Sequence, residues 1–390
     1  MPELSSKLVN FTDSVIRRMT RISNKYRAIN LSQGFPDFDP PKEIKEALKA
    51  AADKGPHQYA ITWGAQNFRE ALAEKQKKFM GIDIDPETQI AVTCGSTEAM
   101  MASVMTVCDP GDKVIVFSPF YENYAADAIL SGADPIHVSL YPPEFSFDRK
   151  ELEDAFRQKP KALILCNPSN PTGKVFTLEE LQYIASLAEK YDTFVITDEV
   201  YEHIVMDPYK HVYFASLPGM FNRTLSCSSL SKTYSITGWR LGYVIADERI
   251  IENVRKVHDF LTVGAAAPLQ EAAIAGLKMP DEYYDWLKNM YMKKRDLFLA
   301  GLDEAGLKYV KPNGAYYVMI DVSEFNVKND LKFCEWLAKE VKIGAVPGSS
   351  FFKKNVNNFI RLHYAKKDDT LLEAIEKLKT LKEKAEFYSE

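Results

Sequence analysis

Short apolar runs recur through the middle of the chain at residues 90–93, 114–117, 135–138, 162–166, 194–197, 224–227 and 241–246. Several are apolar throughout instead of alternating, as expected for strands covered on both faces. Helix-length segments separate most of them. In one, 177–190, Thr177 stands three residues before Glu180, a capping box at a helix start. The rhythm predicts an α/β body around a mostly parallel sheet of seven strands, one for each run.

The ends of the chain break this pattern. A helical stretch near 14–24 leads into 29–41, which holds three prolines and a glycine and is expected to run along another surface. A long charged-and-apolar helix is predicted at 281–302. Beyond it come a strand at 315–320, a helix at 330–339, strands near 343–346 and at 359–363, and a closing helix. In that helix Leu371, Ile375 and Leu378 share one face. The expected organisation is a large domain over 46–285, a smaller α+β domain over 286–390, and an N-terminal segment, 1–45, packed on the small domain.

Composition excludes some classes. With 390 residues, 46% hydrophobic and 26% charged, the chain is not disordered at large. Lys and Arg number 49 against 54 Asp and Glu, a formal charge of −5, which argues against nucleic-acid binding through a broad basic face. Cys94, Cys108, Cys166, Cys227 and Cys334 are dispersed among apolar neighbours and form no CxxC, so buried thiols in a reducing, cytoplasmic setting are expected. No stretch approaches the about 18 apolar residues of a membrane span, and the N-terminus lacks a secretory apolar core. The six histidines show no zinc spacing, so no metal is expected.

The most informative chemistry lies in Ser228-Ser-Leu-Ser-Lys-Thr-Tyr-Ser-Ile-Thr-Gly-Trp-Arg-Leu-Gly242. Lys232 sits among hydroxylated residues after a predicted strand, with Arg240 eight positions on. Ser229, Ser231 and Arg240 suit a phosphate, through hydroxyl donors and a forked cation. A lysine near such a site is a candidate imine former, because desolvation or a nearby cation makes its amine easier to deprotonate. Cys166-Asn-Pro-Ser-Asn-Pro-Thr-Gly173 is a rigid turn that can aim Asn170 into a cleft. Ile196-Thr-Asp-Glu-Val-Tyr201 ends an apolar strand with two carboxylates, one of which also suits a helix N-terminus. Thr93-Cys-Gly-Ser-Thr-Glu-Ala99 suits helix capping by Ser96 or Thr97, and equally an anion site. Neither a GxGxxG fingerprint nor a complete P-loop occurs.

The ordered set Asn-Pro-x-Asn-Pro-Thr-Gly, Asp-Glu-Val-Tyr and Ser-x-x-Lys-x-x-x-x-x-Gly-Trp-Arg-x-Gly resembles the class I/II aminotransferase family, over nearly the whole chain from Ile29 onward. The resemblance implies a pyridoxal-phosphate-dependent enzyme of fold type I and a two-half-reaction amine transfer. Lys232 would form an imine with the cofactor and then shuttle the proton. Asp198 would pair with the pyridine nitrogen, while Tyr201 and Asn170 would bond the ring oxygen. Ser96, Thr97, Ser229 and Arg240 would bind the phosphate, and Tyr121 would stack over the ring. Tyr59 resembles the tyrosine that reaches a neighbouring subunit's phosphate, which implies a homodimer. Arg361, with Gly34 beside it, would clamp the substrate α-carboxylate.

For the substrate side chain, Gln33-Gly-Phe-Pro-Asp-Phe38 resembles kynurenine, glutamine–phenylpyruvate and methionine aminotransferases. Trp63 stands where those relatives have an aromatic wall residue, and packing at a dimer interface is an equal alternative. Ile16 replaces an expected tryptophan, and Val263-Gly264 an aromatic–histidine pair, which leaves room for a larger pocket. Transfer from an aromatic or neutral amino acid to 2-oxoglutarate is expected, with an aspartate aminotransferase and a pyridoxal-dependent β-lyase as alternatives. A regulatory, non-catalytic relative would carry an added DNA-binding domain, and no membrane or nucleic-acid partner is expected.

Overall fold

The computed structural model describes residues 2, 3, 5, 13–386 and 388; the remaining part of the 1–45 segment lies outside the described residues. Strand β1 (Ile29–Asn30) stands apart from the main sheet. That sheet comprises β2 (Ile90–Thr93), β3 (Lys113–Ser118), β4 (Asp134–Tyr141), β5 (Ser146–Phe147), β6 (Ala162–Cys166), β7 (Phe194–Asp198), β8 (Thr224–Ser229) and β9 (Gly242–Ile245). Its spatial order is β2-β9-β8-β7-β6-β3-β4-β5. Contacts from β8 through β4 are parallel, whereas β9 runs antiparallel to both neighbours. Every residue of β2, β6, β8 and β9 is buried, which is why these strands read as unbroken apolar or small-residue runs.

The sheet has one more member than the seven expected. Ser146–Phe147 folds back on the end of β4, pairing Tyr141 with Ser146 and Leu140 with Phe147. Two residues are too few to show a period of two, so only the pairing reveals β5. The helix 177–190 begins with the anticipated box: Thr177 Oγ1 accepts the Glu180 N–H, and the Glu180 carboxylate accepts the Thr177 N–H.

The C-terminal part contains β10 (Lys308–Val310), β11 (Tyr317–Asp321), β12 (Ile343–Gly344), β13 (Val346–Pro347) and β14 (Phe359–His363). Four of these make an antiparallel sheet in the order β10-β11-β14-β13, while β12 pairs in parallel with β1. The early segment therefore does lie along another surface. The helix Val15–Tyr26, N-capped by Ser14, buries Met19 in a core shared with Leu31, Phe298, Phe333, Ile343 and Leu371. The expected strand at 343–346 is split in two around Ala345, and the expected helix at 330–339 ends as a π-helical turn at Leu337–Val341. No described helix is long and apolar enough to cross a membrane.

Parallel order brings the carboxyl ends of β6, β7 and β8 to one edge, with Cys166 opposite Asp198 and Asp198 opposite Cys227. The end of β2 reaches that edge too, through the register Thr93–Gly242–Ser229. In open α/β sheets the crevice outside these ends is where ligands bind.

Behind that edge lies a buried charge network. Glu202 accepts hydrogen bonds from Lys75 at 3.2 Å, Gln76 at 3.2 Å, Tyr213 at 2.6 Å and Tyr243 at 3.3 Å. Burial opposes ionisation of Glu202, but Lys75, His203 and the Tyr213 bond outweigh it and hold the carboxyl below its usual range. Breaking one side of such a pair costs more than removing both. Lys75→Met is expected to lower stability by about 3–5 kcal/mol, and adding Glu202→Met should recover part of that loss. Urea unfolding of both variants checks this; a double variant less stable than the single one would contradict it.

Candidate functional site

Lys232 enters the crevice from a one-turn helix, Leu230–Thr233, that follows β8 directly. Ser229 caps this helix by accepting the Ser231 N–H at 3.3 Å. The Lys232 amine donates to the Gly34 carbonyl at 3.2 Å and lies 5.8 and 5.7 Å from the ring centres of Tyr201 and Tyr316. Burial lowers its pKa to about 8; Asp198 opposes the shift, and Arg240 and Arg361 reinforce it. A substantial fraction of the amine is therefore neutral and nucleophilic near physiological pH.

Asp198 closes β7 and is buried. One carboxylate oxygen accepts the Tyr124 hydroxyl at 2.7 Å, and the other accepts the Val200 N–H at 3.3 Å. Burial pushes its pKa up, while Tyr124, Val200 and Lys232 favour the anion. Asp127, one helical turn after Tyr124, is also buried and has an unpartnered carboxyl oxygen. Burial first, and then the charge on Asp198, raise its pKa to about 8. Of these two acids, the hydrogen-bonded Asp198 is the better site for an ion.

A cradle for an anion stands beside Lys232. Gly95 caps the helix Ser96–Val107 with φ of 84°, so its first N–H groups face the crevice. The cradle is tight: a Cβ on Gly242 would lie 2.6 Å from Ser96 N, and one on Gly95 would stand 2.6 Å from the Arg240 guanidinium carbon. Ser231 Oγ is buried with no hydrogen-bond partner. Beneath, Glu98 accepts from His258 Nδ1 at 2.6 Å and from Thr262 at 2.8 Å, and His258 Nε2 meets the Thr62 carbonyl at 2.9 Å. With an oxygen acceptor at each ring nitrogen, His258 donates from both. Although burial opposes the charge, the Glu98 bond and charge outweigh it and raise the histidine pKa.

Opposite the cradle, Arg361 on β14 is fully buried. Its guanidinium donates to Asn170 Oδ1 and to the Ser32 carbonyl, both at 2.7 Å, and lies 4.2 Å from the Tyr317 ring centre and 4.7 Å from that of Phe351. Neither hydrogen-bond acceptor is charged. The Tyr201 and Tyr317 hydroxyls bond at 2.9 Å, and Tyr316 donates to Gly34 O at 2.8 Å. A Cβ on Gly34 would lie 2.7 Å from Tyr317 ring carbons, so only glycine fits there.

One cleft of about 1210 Å³ gathers Ile16, Gly34, Ser96, Thr97, Tyr121, Asn170, Asp198, Tyr201, Lys232, Arg240 and Arg361 on its wall. Three residues singled out in the sequence are not on it. The Ser229 hydroxyl serves as the helix cap, and the neighbouring Ser231 lines the cleft instead. Trp63 lies under the Arg255 guanidinium, 4.8 Å from the ring centre. Tyr59 is 87% exposed. Tyr124, Asp127, Tyr316 and Tyr317 escaped notice because single tyrosines and aspartates carry no motif. The spacing of Tyr124 and Asp127 does place both on one face of the helix Asn123–Leu130.

Residues 26–378 match the model of the family aminotransferase class I and II. The chain is 36% identical to methionine aminotransferase of Escherichia coli (strain K12), over 96% of this chain and 98% of that one. It is 37% identical to aromatic-amino-acid aminotransferase 2 of Thermococcus litoralis, over 98% and 99%. The solved structure of N-succinyldiaminopimelate aminotransferase from Mycobacterium tuberculosis superposes with a TM-score of 0.94 at 35% identity, covering 97% of this chain and 100% of that one. These likenesses and the cleft agree: the chain belongs to the class I and II aminotransferases, enzymes of fold type I whose cofactor is pyridoxal 5′-phosphate.

Proposed function

We propose that this aminotransferase moves the amino group of an aromatic or other neutral L-amino acid to 2-oxoglutarate. The observation that carries the reading is the placement of a lysine whose amine donates only to a main-chain carbonyl among the described residues, a buried carboxylate and a buried arginine on one cleft wall. The residues present fit the cofactor: an unpartnered Ser231 hydroxyl, the Ser96–Thr97 helix end and Arg240 make a phosphate cradle, and Asp198 offers an anion to a ring nitrogen. Bound pyridoxal phosphate supplies an aldehyde that takes up amines and a ring that draws electrons from the adjoining carbon.

The chain's own residues do the rest. Ser96, Thr97, Ser231 and Arg240 hold the phosphate, with Ser229 fixing the turn that presents Ser231 and Lys232. Asp198, whose anionic form the Tyr124 hydroxyl favours against burial, would hold a proton on the ring nitrogen. Asn170 and Tyr201 would bond the ring oxygen, and Tyr121 would cover the ring face. Arg361 holds the substrate α-carboxylate beside Gly34. Lys232 would take the proton from the substrate Cα and give it back at the adjoining carbon, as a positioned general base and acid. Ile16 and Tyr121 give the side chain an apolar wall, which suits neutral and aromatic donors.

A second copy completes the site in this reading. Tyr59 and Ile61 are exposed, as are Phe260, Leu261 and Val263 on the segment that Thr62 meets through His258. Leu261 and Thr262 also line the cleft, so this apolar face adjoins it. A homodimer packed there would let Tyr59 reach the partner's phosphate cradle, and Trp63 would support that face.

Lys232→Ala is expected to keep the cofactor bound noncovalently while turnover falls by about 10³-fold or more. Single-turnover absorbance and borohydride labelling check this; rapid transamination without the lysine would contradict it. The neutral amine is the reactive form, so cofactor capture by the cofactor-free protein should accelerate with pH and level off above about pH 8. Stopped-flow absorbance across pH 6–11 reads this, and acceleration continuing through about pH 10 would mean an ordinary, solvated lysine. The function itself is tested by offering tyrosine, phenylalanine, methionine, glutamine, kynurenine and aspartate singly with 2-oxoglutarate and measuring the 2-oxo acid formed. Aromatic or neutral donors should lead; preference for aspartate would overturn the proposed donor class.

A further inference from the structure

The cleft carries more positive charge than the reading above uses. Arg361, Arg240 and Lys232 have assigned partners, but Arg17 and Lys353 also line the wall. Neither has an ion pair or side-chain hydrogen bond among the described residues. Lys353 is the better placed, because its loop is tied down at two points. Phe351 accepts the Phe120 N–H at 3.0 Å while its ring covers Arg361. Two residues on, the Lys353 N–H donates to Ser118 Oγ at 2.9 Å. Both ties are made to the end of β3 and the turn after it, just before Tyr121.

His137 faces the same region from β4. It lines the cleft, stacks on Phe120 with ring centres 4.9 Å apart, and has a buried Nδ1 with no hydrogen-bond partner. Burial, reinforced by the nearby Lys353 charge, lowers its pKa to about 4, so the ring is neutral at physiological pH and retains one N–H donor. Glu122, one of the carboxylates on the cleft wall, is occupied in capping the helix Val15–Tyr26, through Ser14 Oγ and the Val15 N–H.

We propose that Lys353, with the His137 ring beside it, holds the distal carboxylate of dicarboxylic substrates while Arg361 holds the α-carboxylate. This rests on the 2-oxoglutarate reading above and adds the residue that recognises that acceptor. A lysine suits the task better than a fixed arginine would. Its charge rides on a flexible stem, and Lys353 is exposed, so it can swing into water when a neutral side chain occupies the pocket. The donor then meets the apolar surfaces of Ile16, Phe120 and Tyr121, whereas a dicarboxylate draws the ammonium in. One pocket thus accepts unlike side chains in the two half-reactions.

The test compares the intact holoenzyme with Lys353→Met and Lys353→Arg. Lys353→Met should raise the KM for 2-oxoglutarate about tenfold or more, the usual scale for a lost charged hydrogen bond. It should leave the KM for phenylpyruvate and the rate of amine uptake from methionine unchanged. Calorimetry with unreactive acids gives a second readout: glutarate should bind the variant about tenfold more weakly, pentanoate equally well, and Lys353→Arg should restore glutarate. Unchanged glutarate affinity in Lys353→Met overturns the assignment, as does equal weakening of pentanoate. Should the wild type favour neutral 2-oxo acids over 2-oxoglutarate, the acceptor reading fails, while glutarate binding still decides the role of Lys353.

Discussion

A lysine amine taken out of water is the constraint from which the rest of the site follows. Exposed, Lys232 would be almost wholly an ammonium at neutral pH; in the crevice its one hydrogen-bond acceptor is the Gly34 carbonyl, and two tyrosine rings face it. Neutral acceptors and ring faces replace the hydration of a cation poorly, so deprotonation becomes easy. That environment is assembled from distant parts of the chain. Gly34 comes from the proline-rich N-terminal segment, Tyr316 from just before β11, Tyr201 from the turn after β7, and Lys232 from the turn after β8. The pairing of β1 with β12 is therefore part of the chemistry, since it carries Gly34 to the lysine.

The same low polarity separates the two neighbouring acids. Asp198 and Asp127 are both buried, and burial disfavours charge on each. Two hydrogen bonds favour ionisation of Asp198, whereas no side-chain bond does so for Asp127. The hydrogen bonds make the residue at the end of β7 the better seat for a negative charge at the floor of the crevice. The position matters because β7 lies between two parallel neighbours, β6, which leads into the turn with Asn170, and β8, which leads into the turn with Lys232. Sheet register thus sets the spacing among all three.

Much of this was legible in the residue pattern, and the gaps have physical reasons. Strands buried on both faces must be apolar or small throughout, so β2 and β6 were visible as runs; β5 and β10, of two and three residues, were not. Residues that act through backbone geometry, such as Asn170 and the Ser96–Thr97 pair, stood out because turns and helix starts demand particular residue types. Tyr124, Tyr316 and Tyr317 did not, since a buried tyrosine looks the same in sequence whether its hydroxyl fills a core or holds an acid. Ser229 and Ser231 show the finer limit. Both hydroxyls are suitable for phosphate, and only the fold reveals that one is committed to a cap and the other is unbonded.

Arg361 is held in place without a carboxylate partner among the described residues. A fully buried guanidinium is ordinarily matched by a carboxylate, because an unpaired charge in the interior is costly. Here it is held by an amide oxygen, a main-chain carbonyl and two aromatic faces, all of which orient the group without cancelling its charge. A protein carboxylate in their place would have to be displaced by every substrate. By leaving the charge uncompensated and the fork rigid, the fold places the conformational cost in folding, where β14 and the 166–173 turn supply it; in the proposed reading an arriving α-carboxylate would meet a preorganised partner.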